Sequence, residues 1–116
     1  MSAQIGLRRI DLCAASDVPP GTMKLCEVED ELVLVTNIGG EYHAVQGVCS
    51  HEYFELDRGT LVGDSILCSL HFSRFSLEDG EVFEPPAELP LVVYPVVIDS
   101  DRVLIEVPDG PLQVNR

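Results

Sequence analysis

Turns come too often in this chain for helices to form. In MKLCEVEDELVLVTNIGGEYHAVQG, runs at 23–28, 31–37 and 42–46 are separated by Glu29-Asp30 and by Ile38-Gly39-Gly40-Glu41. Short polar or glycine-bearing breaks between apolar runs are hairpin signals, and glycine supplies the positive φ of tight turns. A second hairpin is expected from Val92–Asp99 and Arg102–Val107 around Ser100-Asp101, and a third from FSLEDGEVF through Asp79-Gly80. Pro95 cannot donate to a ladder, so it belongs at an edge or a bulge of its strand. No long segment repeats apolar residues at 3.6 spacing. The class expected is all-β, an antiparallel sandwich or small barrel. At 116 residues the chain has length for one domain, 1–116, and one core.

Between the strand-rich parts lies 47–76, expected to be a loop-rich insertion carried by a β platform, where function commonly sits. It contains Cys49-x-His51 and Cys68-x-x-His71, with sixteen residues between the pairs. Each pair fits within one turn that can aim both side chains at a point. Two thiolates and two imidazoles suit tetrahedral zinc. They also suit a [2Fe–2S] cluster with Cys49 and Cys68 on one iron and His51 and His71 on the other, as in Rieske centres. A two-Cys, two-His zinc finger keeps its cysteines on one arm and its histidines on a helix. Here each arm mixes one of each and no helix follows, which favours the cluster. A zinc-bound interaction module is the alternative.

The formal charge is −13, from 20 acidic and 7 basic residues. Nucleic acid is an unsuitable partner for such a surface; the charge either serves solubility alone or steers the chain toward a basic face on a protein partner. No apolar run approaches the length of a membrane span. The opening MSAQIGLRRIDL lacks the apolar core of a signal peptide. The cytoplasm is the expected compartment, where thiols stay reduced.

With the CSH…CSLHF residues in view, the chain resembles the small Rieske-type ferredoxins of bacterial aromatic ring-hydroxylating dioxygenases, such as those acting on biphenyl, benzene or carbazole. The likeness covers most of the chain, including the proline-rich FEPPAELP. It implies the Rieske fold: an antiparallel β-sandwich base domain and a small cluster-binding subdomain at about 47–76. It implies one [2Fe–2S] cluster held by Cys49, His51, Cys68 and His71, and an electron carrier that is not itself an enzyme. Electrons would come from an NAD(P)H-dependent flavin reductase and leave, through exposed imidazoles, to a terminal oxygenase, with the carrier a monomer. A small subunit of a nitrite-reductase-like complex is the enzymatic alternative, although such subunits tend to lack the ligands.

The family also implies a potential. High-potential respiratory members link their cluster loops by a disulfide, and the matching positions here are Phe54 and Leu70. They also place a serine and a tyrosine hydroxyl against cluster sulfurs, where this chain has Ser73 and Phe75. Hydrogen bonds to sulfur favour the reduced state, so a low potential is expected. Ser73 either bonds the cluster or faces solvent. Tyr53, Phe54, Leu70 and Phe72 are expected to form a rim or to pack the loops, and Phe83–Pro90 to cover another side. Arg58 and Arg74 either tune the local field or pair with Glu55 and Asp57. His43 is expected as a surface or half-buried strand residue, Cys13 and Cys26 as small apolar packing, and the acidic turn of Glu27, Glu29, Asp30 and Glu31 as a solvated hairpin end rather than a docking site.

Overall fold

The computed structural model describes residues 6–50, 53–69, 73–84 and 89–115. The first hairpin forms as expected. Strand β2 will denote Met23–Val28 and β3 Glu31–Ile38, with Val28 opposite Glu31 and Met23 opposite Thr36. Glu29 and Asp30 take φ of 51° and 68°, the left-handed pair that a two-residue type I′ turn requires. Neither is glycine, so the turn carries strain. That strain is offset in part by Arg8, which grips both oxygens of the Glu29 carboxylate and also donates to the Gly110 carbonyl at 2.8 Å. The turn is exposed, as expected, yet Glu29 is tied back to the preceding strand. The next hairpin leads from β3 into β4 (Glu41–Gln46), with Ile38 opposite Glu41.

Strand β3 has a core on each face. Val33 and Val35 point into a layer shared with Ala44, Tyr94, Val103 and Ile105, while Leu34 points the opposite way with Val45, toward Leu56, Ile66, Phe75 and Leu77. Burial on both sides accounts for the unbroken apolar run LVLV where one-sided sheets alternate. The sheet β2-β3-β4 is therefore the middle layer of the molecule.

On the first face lies a three-stranded sheet. Its strands are β1 (Leu7–Ala14), β11 (Arg102–Pro108) and β10 (Val96–Asp99), in the order β1-β11-β10. Strand β1 lies in the opening segment, where no strand was expected. Its alternation was legible: Ile10 and Leu12 pack inward while Arg9 and Asp11 face solvent. A bulge between Asp11 and Cys13 then turns Cys13 inward too.

The run Val92–Asp99, expected as one strand, is two. Strand β9 (Val93–Tyr94) pairs with β4, and β10 pairs with β11 in the other sheet. Pro95 sits between them, its carbonyl accepting from Glu106 N–H at 3.0 Å. A residue without an N–H suits the point where a chain leaves one ladder for another.

The segment expected to be loop-rich holds more strand than its sequence suggested. Beyond a single 3₁₀ turn at Leu56–Arg58, the strands β5 (Thr60–Val62), β6 (Ser65–Leu67), β7 (Arg74–Ser76) and β8 (Val82–Glu84) form a four-stranded antiparallel sheet. The β7–β8 pair is the predicted hairpin through Asp79-Gly80, with a bulge at Arg74/Phe75. Strands of three residues are too short to show a period. Helix is confined to two 3₁₀ turns among the described residues, and no helix there is long and apolar enough to cross a membrane.

Candidate metal centre

The two cysteine loops are closed in the same way. After β4 the chain passes Gly47, whose N–H donates to the Leu32 carbonyl at 2.7 Å and whose carbonyl accepts from Leu56 N–H at 2.8 Å. A Cβ there would stand 2.6 Å from Leu25 Cδ1 and 2.9 Å from the Leu32 backbone carbon, so only glycine lets the loop lie this close to the middle sheet. Val48 then bridges Glu55, and Cys49 N–H donates to the Phe54 carbonyl at 2.9 Å. In the second loop Cys68 follows β6, and its N–H donates to the Ser73 carbonyl at 2.7 Å, immediately before β7. Each cysteine amide thus reaches the carbonyl five residues on, and each bracket encloses one histidine of the motif. His51 and His71 themselves lie outside the described residues, as do Leu70, Phe72 and 85–88.

Cys49 and Cys68 are brought together in one apolar cluster with Leu56, Ile66, Phe75 and Leu77, at 4% and 1% exposure. No disulfide joins any of the four cysteines among the described residues. Two thiols converging from matched loops onto one core are the donor set that the sulfur-ligated iron of a mixed Cys/His [2Fe–2S] cluster needs, with apolar walls that limit water. The residues present fit that group.

Ser73 is fully buried, which rules out the solvent-facing alternative. Phe75 is also fully buried, opposite Ile66, and offers no donor. Phe54 packs half-buried against the core, whereas Tyr53 is exposed. Phe83 and Leu89 are also exposed. The Ser50 hydroxyl donates to the Leu89 carbonyl and so ties the end of the proline-rich segment to the first loop. Arg74 donates to the Ser65 hydroxyl at 3.3 Å, and its guanidinium lies 4.9 Å above the centre of the Phe83 ring, a cation–π contact. Ser65 and Phe83 are partners for Arg74 that the sequence did not suggest. Arg58 is exposed, its carbonyl accepting from Ser69 at 3.4 Å.

The remaining Cys and His residues stand where expected. His43 is half-buried in β4, its Nε2 3.5 Å from a Glu41 carboxylate oxygen. No group of three or more His, Cys, Asp or Glu is arranged for a metal ion among the described residues. Cys13 and Cys26 are buried side by side with Val18, Val35 and Val103. Burial, reinforced by the neighbouring Cys13, pushes the Cys26 thiol up to about 11, and burial raises Cys13 as well.

One residue at the site was not anticipated. Gln46 is 2% exposed, and its side-chain amide bonds Val48, Val92 and Asn115. A glutamine ending a strand carries no sequence signal of such a role.

The profile of the Rieske [2Fe-2S] domain matches residues 8–95. The chain belongs to the Rieske [2Fe–2S] domain family, and its cofactor is a cluster of that type. Among its relatives is the biphenyl 2,3-dioxygenase ferredoxin component of Rhodococcus jostii (strain RHA1), 36% identical over 99 residues, 85% of this chain and 92% of the relative. Among solved structures, the complex of reduced oxygenase and oxidized ferredoxin in carbazole 1,9a-dioxygenase contains a chain 32% identical, with a TM-score of 0.78 over 84% of this chain and 91% of that one. The Sphingomonas yanoikuyae B1 ferredoxin superposes with a TM-score of 0.82 at 27% identity, over 87% of this chain and all of its own. Like these ferredoxins, the protein is an electron carrier rather than an enzyme.

Proposed function

We propose that this chain is the ferredoxin component of a ring-hydroxylating dioxygenase system. It takes single electrons from an NAD(P)H-dependent flavin reductase and delivers them to a terminal oxygenase, working as a monomer in the cytoplasm. The chain is one Rieske domain over 1–116, with about 47–76 as its cluster-binding subdomain. The observation that carries this is the matched closure of the two cysteine loops around thiols that share one buried core. The names of the relatives, a dioxygenase ferredoxin component and a ferredoxin complexed with an oxygenase, support the destination of the electron.

Cys49, His51, Cys68 and His71 are the ligands. When bound, the cluster accepts and releases one electron. The residues around it set how readily. Leu56, Ile66, Phe75 and Leu77 exclude water from the cysteine side. Each cysteine amide is held by its loop's own carbonyl, which fixes the thiol direction. The buried Ser73 hydroxyl is the donor we assign to a cluster sulfur, and Phe75 withholds a second. With Phe54 and Leu70 where high-potential members have their disulfide cysteines, and with one donor missing, the potential belongs at the low end of the Rieske range, about −150 to +300 mV. That suits a carrier fed by a flavin.

The test is reduction by a partner. In the presence of NADH and a dioxygenase-type flavin reductase, the visible absorbance of the protein should bleach, and an oxygenase of the same class should restore it. Failure of such reductases to reduce a cluster that dithionite reduces would overturn the carrier role.

A further inference from the structure

Gln46 uses its full hydrogen-bonding capacity in a buried place. Its Nε2 donates to the Val48 carbonyl at 2.9 Å and to the Asn115 carbonyl at 2.6 Å, while its Oε1 accepts from Val92 N–H at 2.8 Å and Asn115 N–H at 3.0 Å. Two donors and two acceptors are all that a primary amide has. The pattern also fixes which end of the amide is which, since both carbonyls meet the nitrogen and both N–H groups meet the oxygen. The three segments it joins are not neighbours in sequence. Val48 immediately precedes Cys49. Val92 follows the proline-rich stretch. Asn115 belongs to the extended segment after β11, whose own side chain donates to the Pro90 carbonyl at 2.9 Å. Tyr94 fixes the same segment two residues earlier, donating to the Gln113 carbonyl at 2.5 Å. The Ser50–Leu89 bond then ties the first cysteine loop to the proline-rich stretch a second time.

We infer that the segment Pro111–Asn115 is a strap, and that Gln46 is a positioning residue which locks this strap to the Cys49 loop and to Pro90–Val92. The inference rests on the Rieske reading of Cys49. Gln46 does not touch the cluster position; it acts through Val48 on the residue that does. Removing it leaves two half-buried N–H groups and two half-buried carbonyls without this partner. Such groups are costly to leave unsatisfied, so the loop and the strap separate and water enters. Water favours the more negative, reduced state of a cluster, so the potential moves upward.

Two altered proteins test this in cluster-loaded form: Gln46→Leu, and a chain ending after Gln113, which removes Asn115 while keeping the strand core. Amide exchange is read by mass spectrometry on peptides covering 47–56 and 31–38, with the reduction potential measured beside it. Exchange in 47–56 should quicken about tenfold or more in Gln46→Leu, and less in the shortened chain. Exchange in 31–38 should hold, and the potential should rise in both proteins. Unchanged exchange in 47–56 with an unchanged potential overturns the inference, as does equal quickening in both peptides, which would make Gln46 a general stabiliser. Should Gln46→Leu not fold, the shortened chain decides alone. The exchange readout needs no cluster, so a protein that binds none would sink the Rieske reading while still deciding whether the strap holds the loop.

Discussion

Ser73 and Phe75 stand two residues apart, both fully buried, and only one of them has a hydroxyl. If Ser73 donates to a cluster sulfur, Ser73→Ala removes a charge-assisted bond that favours the reduced state. Such a bond contributes about 1–2 kcal/mol, so the potential should drop by roughly 40–90 mV for a one-electron couple. Protein-film voltammetry of the two proteins reads this directly, and an unchanged potential would discard the bond. In a separate core cluster, the Cys26 thiol is raised by burial and by Cys13 to about 11. A neutral thiol favoured by folding contributes stability that is complete below the unfolded thiol value of about 8.5. That stability is lost as pH rises toward 11. Urea midpoints should therefore fall between about pH 9 and pH 11 in the native chain and fall less in Cys26→Ala. Iodoacetamide should leave Cys13 and Cys26 unmodified at pH 8 until denaturant is added.

Hairpins with two-residue turns were legible because each turn is punctuated by acidic, glycine or Ser-Asp residues and each flanking run is long enough to read. The metal motif was legible because its spacing survives in one dimension. Three things were not. The strands β5 and β6 are held by their ladder and by the approach of Gly59 to the Leu67 carbonyl, a contact made in space and not in sequence. The division of Val92–Asp99 between two sheets depends on which partners β4 and β11 offer on either side of Pro95. The Gln46 hub draws on residues as far away as Asn115. At this scale Gly47 is the sharpest test. Gly47→Ala would force Leu25 and the Leu32 backbone apart, an overpacking cost of about 1–3 kcal/mol. Urea denaturation should show that loss together with a shortened cluster lifetime. Wild-type stability would mean the loop relaxes freely and is not set by its contact with β3.

The molecule is layered: an outer three-stranded sheet, a middle sheet buried on both faces, and the β5–β8 sheet with the cysteine loops beyond it. Three of its arginines are paired on and beside the outer sheet, while Arg58 and Arg74 belong to the last layer. Arg8, Arg9 and Arg102 pair with Glu29, Glu106 and Asp11 along β1 and its neighbours. If the net charge of −13 steers encounter with a basic partner face rather than serving solubility alone, salt should reveal it. Electron exchange with such a partner should slow about tenfold or more as salt rises from about 0.01 to 0.5 M, as the screening length contracts from about 30 Å to a few ångströms. Stopped-flow rates that ignore salt would remove electrostatics from the encounter. The central claim, that the matched loops hold a low-potential one-electron [2Fe–2S] centre, is tested most directly by a spectroelectrochemical titration of protein assayed for metal and sulfide. Two irons and two sulfides per chain are expected, as the family carries, with one electron taken up per chain and a midpoint toward the lower end of about −150 to +300 mV. A colourless protein holding one zinc, or a midpoint in the upper half of that range, would contradict it.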